Sequence, residues 1–296
     1  MYEAFYGLKE KPFTIQPDPE FLFFSLRHSM AYAMLEYGVQ NRAGFSVICG
    51  EIGCGKTTLV RHLLNNLGDE LTVGIVYNTH QHIEDLLSWI MLAFGQPYEG
   101  KSNLALYDAF QQFLIKSYTE GKRVVLIIDE AQNLSPAALE SLRMLSNINA
   151  DKDQLLQIIL IGQPQLRDLL RRPDLQQFFQ RVSVDFFIPP LESFEADKYI
   201  LHRLHVAGRD TPLFTPAATR LIAEAARGIP RSINILCDMA MVYGFSTNVD
   251  KIDVSLVREV IKDRTEFGIV SRYFVQIEVP RRATWNAMPT RGVESE

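Results

Sequence analysis

The chain predicts an α/β domain, a parallel five-stranded sheet flanked by helices, followed by a small all-helical unit. Strand-length apolar runs at residues 45–49, 72–77, 123–128, 157–161 and 182–188 alternate with stretches of helical periodicity, the pattern of strands joined by helical crossovers. After Pro189 and Pro190 the strand pattern stops and helical text alone continues to about residue 267. The 296 residues are 47% hydrophobic and 22% charged, a balance that supports a packed core and excludes a disordered or collagen-like chain.

Each element has its own local reason. Residues 1–26 carry PFTIQPDPEFLFFS, whose prolines deny a long helix and whose phenylalanines need a surface to pack on, so they read as an ordered, docked arm. Residues 27–40 are helical, and 45–49 form a first strand ending near Gly50 in a glycine-rich turn. A helix at 56–67, a strand at 72–77, helices at 83–94 and 104–118 and a third strand at 123–128 follow. Ser135 before Pro136 is a helix N-cap with proline at the first helical position, opening a helix to about 147. The fourth strand is 157–161, then one arginine-bearing helical stretch at 165–181, then the fifth strand at 182–188. The second unit reads as helices at 194–207, 215–226, 231–243 and 254–267, with Thr215 and Pro216 repeating the cap-and-proline start. The expected divisions are therefore 1–26, 27–190, 191–267 and a partly disordered tail at 268–296.

A net charge of −5 gives no overall basic field to hold nucleic acid or an anionic membrane. Cys49, Cys54 and Cys237 lack paired spacing for zinc or a disulfide framework, which fits a reducing compartment. The N-terminus lacks the plan of a secretory signal, and no apolar run approaches the roughly 18 residues of a membrane span. The expectation is a cytoplasmic chain.

The chemistry is concentrated at two strand ends. Gly50, Glu51, Ile52, Gly53, Cys54, Gly55, Lys56, Thr57 and Thr58 spell the G-x-x-x-x-G-K-[ST] loop between a strand and a helix. Its glycines let backbone N–H groups curl around phosphate oxygens, Lys56 reaches the β- and γ-phosphates, and Thr57 is placed to ligate Mg²⁺. The run VVLIIDEAQ ends in Asp129 and Glu130 where the third strand leaves the sheet. Asp129 suits Mg²⁺ held through its water shell, and Glu130 suits orienting or deprotonating the attacking water. Paired acids of this kind point to ATP hydrolysis with Mg²⁺ as cofactor.

Over about residues 1–267 these features resemble an AAA+ ATPase, and the strings YGLKEKPF, PDPEFLFFS, GFSVICGEIGCGKTTLV, LIIDEAQNL and LIGQPQL together resemble the general secretion pathway protein A (ExeA-like) branch. The resemblance implies a P-loop core with a helical lid. It implies that Gln163, after the fourth strand, reads the γ-phosphate, and that Arg231, in GIPR at a lid-helix start, bridges lid and nucleotide. Arg181 is implied as an arginine finger for a neighbouring subunit, with Arg171 and Arg172 as competitors. Arm residues Phe13, Pro17, Asp18, Pro19 and Phe24 are expected beside the adenine, while a lone His28 reads as a cap or surface residue. Cys54 sits where a helix N-terminus could lower its thiol pKa, although a small filler residue is the plainer reading.

The task implied by the resemblance is assembly of a bacterial envelope system for secretion, type IV pili or polysaccharide export. It implies a homo-oligomer and a membrane-anchored partner, which the tail with Arg281, Arg282 and Trp285 could contact. Longer members of the branch continue into a transmembrane helix and a peptidoglycan-binding part. Nucleic acid is a possible but not favoured partner: a transposition-type regulator would use a basic stripe, for which RRPDLQQFFQR is the candidate. A nucleotide-binding scaffold without turnover is a third reading, disfavoured by Glu130.

Overall fold

The computed structural model describes residues 1–66, 68, 70–77, 86–150 and 153–267. Five strands form one parallel sheet in the order β2-β3-β6-β1-β7: β1 (Phe45–Gly50), β2 (Leu71–Val76), β3 (Arg123–Ile128), β6 (Leu156–Gly162) and β7 (Val182–Ile188). All of β1 and β6 is buried, as expected where helices cover both faces and the text is a continuous apolar run. Alternation still sorts the faces. Phe45, Val47, Leu126, Ile128, Ile158 and Leu160 join one apolar cluster, while Ile48, Val125, Ile127, Ile159 and Ile161 join the cluster on the opposite face.

Helices α1 (Leu26–Gln40) and α2 (Lys56–Asn66) fill the second of these faces. The first is covered by α3 (Leu86–Ala93), α4 (Asn103–Thr119), α5 (Pro136–Leu145), α6 (Pro164–Leu170) and α7 (Gln176–Phe179). Ser135 accepts a hydrogen bond from the Ala138 N–H, so the expected cap forms. Two corrections concern this half. The stretch 165–181 is not one helix: Arg172 leaves the helical region and Pro173 opens a short 3₁₀ turn, Pro173–Leu175, between α6 and α7. Proline cannot continue the hydrogen-bond ladder from the preceding turn, and this one starts a new element. A two-residue antiparallel pair, β4 (Asn149–Ala150) with β5 (Asp153–Gln154), precedes β6 and has no counterpart in the sequence reading.

The helical unit consists of α8 (Ser193–Val206), α9 (Pro216–Ala225), α10 (Pro230–Ser246) and α11 (Val254–Phe267). Tyr2, Tyr6, Leu8, Phe13 and Phe21 of the arm belong to its core rather than to the sheet's. Tyr2 donates to Asp238, Tyr6 donates to the Met241 and Val249 carbonyls, and Lys9 N–H donates to the Ala207 carbonyl at 2.8 Å. The first 13 residues are thus packed as part of the helical unit. Residues 268–296, with Arg281, Arg282 and Trp285, lie outside the described residues, as do the expected helix ends at 67 and 83. No helix among the described residues is long and apolar enough to cross a membrane.

Candidate active site

The register places three loops at one edge of the sheet. Cys49 pairs with Gly162 and Ile128 with Leu160, so the chain leaves β1, β3 and β6 side by side at their carboxyl ends. Because β1 has β6 on one side and β7 on the other, this edge is where the strand order reverses, the usual position of a ligand crevice.

A cleft of about 210 Å³ opens there. Its floor is Ile52, Gly53, Cys54, Gly55, Lys56, Thr57 and Thr58 of the loop, and Glu130 stands at one end. Gly53 and Gly55 have φ of +85° and +87°, the left-handed region that lets the loop curl. A Cβ on Gly53 would come 2.5 Å from Arg231 Cβ, so the loop touches the helical unit directly. Gly50 and Glu51 begin the loop, and their carbonyls accept from Lys56 Nζ at 2.8 and 2.9 Å. Burial lowers the Lys56 pKa below the ordinary lysine value, an effect opposed by Cys54, Glu130 and Asp129. Burial also pushes the Cys54 thiol up to about 11, so it packs as a small filler and the reactive-thiol reading falls.

At the end of β3, Thr57 Oγ1 donates to Asp129 Oδ2 at 2.9 Å. The other oxygen of Asp129 accepts from the Glu130 N–H at 2.9 Å. Glu130 has φ 55° and ψ 37°, uncommon for a residue with a Cβ. Its Oε2 accepts from Gln163 Nε2 at 2.9 Å and from Gln132 Nε2 at 2.6 Å. Gln163, expected beside a phosphate, thus rests on Glu130, and Gln132 is a contact the sequence reading missed.

His28 is a second omission. Read as a cap or surface residue, it is instead 4% exposed, with Nε2 2.9 Å from the Cys54 carbonyl oxygen and Nδ1 2.8 Å from Ser25 Oγ. A carbonyl only accepts, so Nε2 carries the proton in the neutral ring. The arm contributes Thr14, Ile15, Gln16, Pro17, Asp18 and Phe21–Phe23 to the cleft wall. Of the five arm residues expected beside the adenine, Pro17 and Asp18 line the cleft and Phe13, Pro19 and Phe24 do not. Phe13 is buried against Phe214, Pro19 opens a short 3₁₀ turn whose N-cap is Asp18, and Phe24 meets Tyr32 and His62 edge to face.

Arg231 lines the cleft, with its N–H donating to the Gly53 carbonyl at 3.2 Å. Arg203, 6% exposed, also lines the cleft, donates to the Pro12 carbonyl and the Tyr199 hydroxyl and lies 4.5 Å over the Phe21 ring. Arg181 is not brought to this cleft. It precedes Val182, which pairs with Phe45 at the start of β1, one strand length or about 20 Å from the loop, and it donates to Ser146 Oγ at 3.1 Å. Arg171 is exposed and Arg172 pairs with Asp174 at 2.9 Å, so these arginines, split by the break at Pro173, form no continuous basic stripe.

A phosphate loop, an Asp-Glu strand end, a polar residue after the neighbouring strand and a helical lid define a P-loop ATPase of the AAA+ class. The comparisons agree: a family profile described as AAA domain matches residues 39–170. The chain is 42% identical over 260 residues to general secretion pathway protein A of Aeromonas hydrophila, covering 86% of this chain and 48% of that relative's length. By its site and its matched domain an AAA+ ATPase, the chain is similar to general secretion pathway protein A and spans about half of that relative's length. The fold is also similar to Cdc6p of Pyrobaculum aerophilum, with a TM-score of 0.64 and 15% identity over 83% of this chain and 70% of that one. The ORC2 protein of Aeropyrum pernix, solved as ADPNP-ADP complexes, matches with a TM-score of 0.61 and 18% identity over 80% and 66% of the two chains.

Proposed function

We propose that the chain hydrolyses ATP in this cleft as an oligomer, and that the cycle powers or times assembly of a bacterial envelope system. The observation that carries the chemistry is the convergence at one sheet edge of Lys56, the Thr57–Asp129 pair and the Glu130–Gln163 pair. Loop N–H groups and the start of α2 attract the phosphates, and Lys56 exchanges its two carbonyl partners for β- and γ-phosphate oxygens. Thr57 and Asp129 present hard oxygen donors, a set that fits Mg²⁺. When bound, the ion neutralises phosphate charge. Glu130 orients the attacking water and accepts its proton, and Gln163 and Arg231 answer to the γ-phosphate from the sheet and the lid.

Arg181, a strand length from its own cleft, is supplied to the cleft of the next copy. The secretion pathway named in the relative supports an envelope task, and for that task we propose a membrane-anchored partner and a cytoplasmic position peripheral to the inner membrane. The test is steady-state ATP hydrolysis per protomer across a wide range of protein concentration. Specific activity that climbs with concentration supports sites completed between copies; activity independent of concentration from a species that remains monomeric contradicts it.

A further inference from the structure

The geometry points to Gln132 as a positioning residue that ties the two catalytic strand ends together, an inference that rests on the roles proposed above for Glu130 and Gln163. Gln132 lies in the short 3₁₀ turn Ala131–Asn133 that follows Glu130. Its Nε2 donates to Glu130 Oε2 at 2.6 Å while its Oε1 accepts from the Gln163 backbone N–H at 3.0 Å. Gln163 Nε2 donates to the same Oε2 at 2.9 Å, which closes a three-residue ring across the ends of β3 and β6.

Only a side chain with a donor and an acceptor at its tip can hold both partners. Glutamate in its place would set two carboxylates together, and lysine offers no acceptor. The neighbouring strand makes room for the amide: a Cβ on Gly162 would lie 3.1 Å from Gln132 Oε1 and 2.7 Å from Leu166 Cδ2. The two amides on Oε2 differ in what they are free to do. Gln163 turns away when it engages a phosphate, whereas Gln132 is pinned by the Gln163 backbone N–H and keeps Glu130 aimed through the exchange.

The test is Gln132→Ala and the length-preserving Gln132→Glu, each measured for kcat, KM, affinity for a fluorescent ADP analogue and thermal denaturation. The expected result is a kcat lower by roughly tenfold to a hundredfold, the kinetic equivalent of one hydrogen bond to a charged group, with KM and nucleotide affinity within about twofold. Combining Gln132→Ala with Gln163→Ala costs less than the product of the single effects, because both amides serve one oxygen. Wild-type kcat in a folded Gln132→Glu or Gln132→Ala protein overturns the proposal. So does a loss confined to stability and nucleotide affinity. Glu130→Gln separates the two failures: normal turnover there removes the base itself, while a stalled Glu130→Gln beside a fully active Gln132→Ala removes only the role of Gln132.

Discussion

His28 Nε2 donates to the carbonyl oxygen of Cys54 at 2.9 Å, joining the first turn of α1 to the middle of the phosphate loop. The loop is therefore held from behind by a side chain that touches no phosphate. Burial keeps the His28 pKa below the ordinary histidine value, opposed by the Cys54 carbonyl and by Glu195.

A pH dependence follows from that direction. The unfolded chain takes up the His28 proton near pH 6.5, above the folded protein, so stability is full above that pH. It falls as pH drops from about 6.5 toward the lowered folded value, below which this group adds no further slope. Thermal melts from pH 8 to 5 should show the loss, and His28→Gln should flatten it. An unchanged pH slope in His28→Gln would assign the effect to other groups.

Lys56→Ala should weaken nucleotide affinity by about tenfold or more, since the loop loses its one buried ammonium, while the fold stays intact. Titration with a fluorescent ADP or ATP analogue reads the change. The variant also leaves the Gly50 and Glu51 carbonyls without the lysine, the first on a buried residue at the end of β1 and the second on an exposed one.

Arg181→Ala and Glu130→Gln should each bind nucleotide and each turn over poorly. Mixing them should restore activity, because some interfaces then pair an intact Arg181 from one chain with an intact Glu130 in the next. A mixture no more active than its components, in which light scattering shows mixed oligomers, rules out supply of Arg181 in trans.

Arg203→Met should destabilise the protein by about 2–4 kcal/mol, read by urea denaturation, since it strips donors from the Pro12 carbonyl and the Tyr199 hydroxyl inside the arm–helix core. The arm wall of the cleft, from Thr14 to Phe23, should loosen with it, raising KM for ATP more than it lowers kcat.

The sheet and the phosphate loop were legible because their signals are local. A buried parallel strand reads as an apolar run, and the loop chemistry needs glycines and a lysine at fixed spacing, as residues 45–58 show. The break at Pro173 was also written in the chain, but a helical pattern on both sides hid it. Other features are not local at all. Tyr2 meets Asp238 across 236 positions, so nothing near either residue announces that the arm packs on the helical unit. A lone histidine carries no spacing signal, and His28 became part of the site only once α1 lay behind the loop. Gln132, two residues beyond Glu130, was visible as text, but its bond to the Gln163 backbone depends on β3 and β6 being neighbours.

The most direct test of the hydrolytic mechanism compares Glu130→Gln with the wild type in single-turnover ATP hydrolysis, with Mg²⁺ present and nucleotide binding measured on the same samples. The account predicts binding within about twofold of wild type and hydrolysis slowed by about a hundredfold or more, the scale of losing a general base. Equal hydrolysis by the two proteins would contradict it, because the carboxylate held between Gln132 and Gln163 would then have no part in activating water.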